Sequence, residues 1–88
     1  MNESEIERQL KVLANRRRLA ILNLLRKRKE ADVTAISDAI RLSFTSTSKH
    51  LTMLERTGFV EKEQRSLNVF YRLSSDAPKV MSSVLTMF

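Results

Sequence analysis

Eighty-eight residues with 16 Lys and Arg against 10 Asp and Glu, a net charge of +6 and a pI near 10.3 describe one small basic domain. A core of that size is modest, so a partner subunit can matter for stability, and the charge favours an anionic partner, with nucleic acid ahead of a merely solvated basic surface. The absence of cysteine and the single histidine exclude a disulfide framework, a thiolate metal site and a thiol redox switch, and leave no ligand set for zinc.

The opening "MNESEIERQL" is acidic and amphipathic, unlike a secretory signal, and no apolar run approaches the ~20 residues of a membrane span. A soluble, cytoplasmic protein without a membrane partner is expected. "EIERQLKVLA" sets Ile6, Leu10 and Leu13 on one stripe of a first helix, with Asn2 and Glu5 spaced as a capping box. Asn15 can cap the second helix, "RRRLAILNLLRKRK". Its Leu19, Ile21, Leu22, Leu24 and Leu25 cover so wide an arc that the middle must be buried. Arg16, Arg17 and Arg18 oppose the macrodipole at its start, by ~0.3 to 1 kcal/mol each at low salt. An ion pair with Glu3, Glu5 or Glu7 is the reading for Arg18; for Arg16 and Arg17 the choice between carboxylate and DNA phosphate is open. The run Arg26 to Lys29 closes the helix where cations are favoured and reads as a solvated cap.

"DVTAISDAI" places Val33, Ile36 and Ile40 on one face of a third helix, and only "RLS" separates it from a fourth. Two short helices joined by three residues spell helix-turn-helix. The fourth lies in "SFTSTSKHLTMLERTGFV", residues 43 to 60. Ser43 is its N-cap, Thr47, Leu51 and Leu54 can face a core, Ser46, Lys49, Thr52 and Arg56 point elsewhere, and Gly58 suits its end. Beyond it "FVEKEQRS" and "LNVFYRLS" are β-rich, with Val69, Tyr71 and Leu73 alternating, and form a hairpin. Asp76 is placed to cap a last helix with Pro78 in its first turn. The apolar residues of that helix, Val80, Met81, Val84, Leu85, Met87 and Phe88, exceed one packing face. The order α-α-α-α-β-β-α gives a mainly α winged helix-turn-helix with a small β-hairpin, one domain over residues 1–88.

In that context the first turn of the fourth helix enters the major groove, where Ser and Thr hydroxyls bond base edges or phosphates and Lys49 reaches guanine or phosphate. The candidates are Ser43, Phe44, Thr45, Ser46, Thr47 and Lys49. Phe44 packs on a thymine methyl or folds back as a staple. His50 reads first as half-buried support and second as a phosphate donor. Lys62, Arg65 and Asn68 are either ordinary strand residues or backbone contacts of a wing, and phosphate contact is favoured for Arg65. Ile6, Leu10 and Leu13, with Val80, Val84, Leu85 and Phe88, leave more apolar surface than a monomer should expose and are read as a dimer interface.

The ordered set "LKVLANRRRLAILNLL", "LSFTSTSKHLTMLERTGFV" and "VFYRL" resembles the ArsR/SmtB-type winged-helix transcriptional repressors, from Leu10 to Leu73. Ser43, Ser48, His50, Leu51, Leu54, Gly58 and the "YRL" that ends the wing fall where the family pattern has them. The resemblance implies a homodimer joined through the first and last helices, with two recognition helices in successive major grooves of an inverted-repeat operator. Many members release DNA when a metal binds Cys or His clusters; those ligands are absent here, so the effector is unknown. Arg16 stands where the family often has Pro, Arg41 and Ser66 where it often has Gly, and Thr47 where it often has an aliphatic residue.

The leading function is therefore a sequence-specific, dimeric DNA-binding transcriptional repressor. The alternative is a winged-helix protein-interaction module with weak or non-specific DNA binding. No Ser/His/acid order and no Gly-rich phosphate loop supports an enzyme, so no catalytic residue and no cofactor is expected.

Overall fold

The computed structural model describes all residues from Met1 to Phe88. The elements in chain order are α1 (Glu3–Leu13), α2 (Arg16–Arg28), β1 (Glu30–Asp32), α3 (Val33–Ile40), α4 (Phe44–Arg56), β2 (Val60–Arg65), β3 (Asn68–Leu73) and α5 (Lys79–Leu85). No helix is long and apolar enough to cross a membrane.

Side-chain caps start four of the helices. Asn2 accepts from the Glu5 amide, Asn15 from Arg17 and Arg18, Asp32 from Ala35, and Ser43 from Ser46. Each satisfies a donor that the helix leaves without an internal partner, an effect of ~1 kcal/mol. The Asn15 cap holds the start of α2 in spite of its three arginines, and Arg18 forms no ion pair: its Nε is buried without a partner. Asp76 does not cap α5. The Ser74 hydroxyl accepts the Asp76 amide at 3.2 Å and turns the chain, and the helix begins after Pro78 without a side-chain cap.

The core is one cluster. Ile21, Leu22, Ile36, Leu51, Leu54 and Phe59 are fully buried, joining α2, α3, α4 and the start of the wing. Each such side chain contributes ~1.5 to 3 kcal/mol by leaving water. Gly58, at φ 83, reverses the chain between α4 and β2, which only a residue without Cβ does freely. Arg41 and Ser66, both at φ 56, hold the left-handed backbone at two positions where the resemblance has Gly.

The sheet has one strand more than the hairpin read from the sequence. β1 pairs antiparallel with β3 (Glu30↔Arg72, Ala31↔Tyr71, Asp32↔Phe70), giving the order β1-β3-β2. Three residues are too short to show an alternation; the strand exists because β3 offers a free edge beside the start of α3. β2 and β3 are joined by a two-residue loop, Ser66 and Leu67, with Arg65 opposite Asn68. Positive φ at only the first of these residues is the pattern of a type II′ hairpin turn.

Candidate nucleic-acid interface

The helical period divides α4 sharply. Thr47, Leu51 and Leu54 are buried. The opposite stripe, Phe44, Thr45, Ser48, Lys49, Thr52, Met53 and Arg56, lines one shallow groove along the helix. Phe44 is 57% exposed, so it points outward and does not fold back as a staple. Lys49 and Arg56 are exposed and hold no carboxylate; the ion pairs of the molecule are Glu7–Lys11 and a network in the wing.

Of the recognition residues expected from sequence, Phe44, Thr45 and Lys49 lie on this outward stripe. Ser43 is exposed as the N-cap, so its oxygen is already engaged by the Ser46 amide at 3.1 Å. Ser46 itself is half-buried at the edge of the stripe. Thr47 does not reach the groove: its side chain is wholly buried and its hydroxyl has no partner. The same period that allows Thr47 to face the core forbids it the opposite face. Ser48, Thr52 and Arg56 complete the stripe and were not among the sequence candidates; the spacing of three residues from Thr45 to Ser48 and from Lys49 to Thr52, and of seven from Lys49 to Arg56, was the signal that could have found them.

His50 is half-buried beside the start of α2. Its burial, with the positive fields of Arg18 and Arg17, holds the imidazole below its ordinary value, so it is neutral at pH 7 and presents no cation to a phosphate. Arg17 itself reaches the Ile40 carbonyl at 3.4 Å, tying α2 to the end of α3.

The wing separates two kinds of cation. Glu61, Glu63 and Arg65 share one face of β2, opposite Arg72, Phe70 and Asn68 of β3. Arg65 bonds Glu63 at 3.0 Å and Glu30 at 3.1 Å and lies 4.6 Å over the Phe70 ring; Arg72 bonds Glu61 at 2.8 Å and Glu63 at 3.1 Å. The hydrogen bonds donated by Arg65 and Arg72 hold the Glu63 carboxyl below its usual range, and donation to Glu63 and Glu30 raises the Arg65 guanidinium. Arg65 is therefore already engaged, and the phosphate contact expected of it would have to displace these carboxylates. Lys62 is exposed, lies on the other face with Gln64, and holds no carboxylate; it is the uncommitted cation of the wing. Asn68 is exposed at the tip.

The apolar residues assigned to a dimer interface also divide. Ile6 and Leu10 are 41% and 46% exposed and Phe88 57%, whereas Leu13 and Leu85 are buried in the core and Val80 and Val84 half-buried against it. Leu13 and Leu85 are needed by the monomer and are not free to form an interface. Ile6 and Leu10 line an open apolar groove on α1 between Glu7 and Lys11. No three His, Asp or Glu side chains come together in a way that could hold a metal ion.

Residues 15–62 match the family model for bacterial regulatory proteins of the arsR family. The transcriptional activator HlyU of Vibrio cholerae is 38% identical over 92 residues, spanning 97% of this chain and 84% of its own length. Its solved structure superposes with a TM-score of 0.84 at 34% identity, covering 99% of this chain and 94% of that one. The homodimeric winged helix-turn-helix DNA-binding domain of Mb0332 from Mycobacterium bovis gives 0.77 at 32% identity, covering 96% and 74%. The transcriptional repressor BigR of Xylella fastidiosa gives 0.82 at 27%, covering 97% and 84%. The family match over these residues, together with the likeness in sequence and fold to these relatives, means that the chain belongs to the ArsR family of winged-helix transcriptional regulators.

Proposed function

We propose that this protein is a homodimeric repressor that reads an inverted-repeat operator through α4 and holds the flanking backbone with its wing. The observation that carries the proposal is the outward stripe of α4: hydroxyls at Thr45, Ser48 and Thr52 and unpaired cations at Lys49 and Arg56, on a helix whose other side is locked into the core. Those groups match base-edge acceptors and phosphates, and a rigid helix presents them without further ordering cost. The wing arginines, each holding two carboxylates, have no such freedom.

The homodimeric state of the Mycobacterium bovis relative and the exposed Ile6, Leu10 and Phe88 support pairing through α1 and the chain end. Two-fold pairing would set the recognition helices about 34 Å apart, one turn of B-DNA. Repression follows from occupancy, since a dimer covering its operator excludes polymerase; the relatives include a protein named an activator and one named a repressor. Selection from random DNA should enrich an inverted repeat with that spacing, and sedimentation should give a dimer. A monomer at tens of micromolar, or no enriched sequence, would overturn the proposal.

A further inference from the structure

Helix α2 has arginines at its start, Arg26, Lys27 and Arg28 in its last turn, and no carboxylate anywhere. The cations at the start oppose the helix macrodipole, and none of the charges on α2 enters an ion pair. The Asn15 cap holds the helix start but brings no negative charge. Something outside this fold is needed to balance them.

Part of that charge frames an apolar floor. Arg16, Ala20, Leu24 and Lys27 recur at helical spacing along one face of α2, over about 16 Å, and Ala39 and Ile40 of α3 form the facing wall of an open groove of about 380 Å³. Arg17 donates to the Ile40 carbonyl at 3.4 Å and ties the two walls together. Ala39 is exposed and Ala20, Leu24 and Ile40 are half-buried, so the floor is accessible, while Arg16 and Lys27 stand exposed towards its two ends. No carboxylate lines it.

The shape and the charge together select the occupant. A DNA backbone would use the cations and leave the apolar floor empty, and a small anion would not span the distance between Arg16 and Lys27. A helix with an apolar stripe flanked by glutamates or aspartates satisfies floor and rim at once. Its carboxylates near Arg16 and Arg17 would also meet the positive end of the α2 macrodipole. The groove shares no residue with the outward stripe of α4, with the wing, or with exposed Ile6, Leu10 and Phe88, so the operator and the second subunit proposed above draw on other surfaces.

We propose that the groove between α2 and α3 docks an acidic amphipathic helix of a second protein, which gives the regulator a protein contact besides its operator. The surface involved is small, so the contact is transient, burying less than about 1,200 Å² in all.

The test uses the full chain and a fluorescein-labelled synthetic peptide, a helix former with leucines at i, i+4 and i+7 flanked by glutamates, beside a scrambled peptide of the same composition. The first peptide should raise anisotropy saturably and shift amide resonances centred on residues 16–27 and 39–40, and the scrambled one should bind about tenfold more weakly. Arg16→Glu combined with Lys27→Glu should bind the glutamate peptide about tenfold more weakly, bind its lysine counterpart instead, and keep the preference for operator over random DNA. Equal binding of the two peptides, or no saturable binding by about 1 mM, overturns the proposal. Shifts centred on the stripe of α4 place the peptide on the DNA-reading face and overturn it too. So does a charge-reversed protein that keeps its affinity for the glutamate peptide while its log-affinity against log-salt slope for DNA becomes shallower, which assigns the rim to phosphate.

Discussion

Replacing Thr47 by Val tests the division of α4 into a buried and a reading face. The side chain is wholly buried and its hydroxyl has no hydrogen-bond partner, so the fold bears the desolvation of that group without return. An unsatisfied buried hydroxyl costs about 1 to 3 kcal/mol, and valine has nearly the same shape, branching and helix propensity. Allowing for imperfect fit of the new methyl, Thr47→Val should stabilise the domain by about 1 to 2 kcal/mol. For a domain of this size each kcal/mol moves the midpoint by roughly 4 to 8 °C, so thermal unfolding followed by circular dichroism should shift upward by ~4 to 16 °C. Protein concentration must be held fixed, because dimerisation also moves the midpoint. The same variant should keep its preference for operator over random DNA. A lowered midpoint would mean that the hydroxyl has a partner, and a lost preference would put Thr47 in the groove after all; either result refutes the assignment.

Lys49→Ala should lose about 1 to 3 kcal/mol of discrimination between operator and random DNA by fluorescence anisotropy, as one base contact is removed. Arg65→Ala should weaken both DNAs alike by releasing Glu30 and Glu63 at the wing; a log-affinity against log-salt slope shallower by about 0.9 for each wing would instead show that Arg65 grips phosphate. Ser66→Gly should raise the thermal midpoint, since φ 56 suits glycine better than serine; an unchanged or lower midpoint would contradict the turn geometry. His50 binds a proton less readily folded than unfolded, so the stability it contributes is full above pH 6.5 and is lost as pH falls through its lowered folded value. The midpoint should drop as pH falls below 6.5 and His50→Gln should flatten that drop, whereas Glu63, held below the usual carboxylate range, titrates at more acid pH. Zinc or cadmium should leave operator affinity unchanged, because one imidazole and no thiolate cannot hold either ion; a metal-induced release of DNA would show otherwise.

The helices were legible because their apolar spacing and their caps, Asn2, Asn15 and Ser43, act over four residues and need no distant partner. β1 was not, since Glu30 to Asp32 become a strand only when β3 arrives from forty residues further along the chain. The same distinction governs the site. That Thr45 and Lys49 face outward follows from period alone. That Arg65 meets Glu63, two residues away on the same strand face, also follows from period, but its second partner Glu30 lies on another strand whose nearness no local pattern announces. Asp76 failed as a cap because Ser74, two residues before it, competed for the turn.

The pairing of residues 30–32 with 70–72 also encloses α3 and α4 within one loop of the chain. Closing a loop of about forty residues costs roughly 2 kcal/mol more entropy than closing one of four, and the core contacts between must already be forming to offset it. The recognition helix therefore should not fray independently of the wing. Native-state hydrogen exchange should show amides of β1, β3 and the buried side of α4 opening together at the global unfolding free energy, while those of α1, which lies outside the loop, exchange sooner.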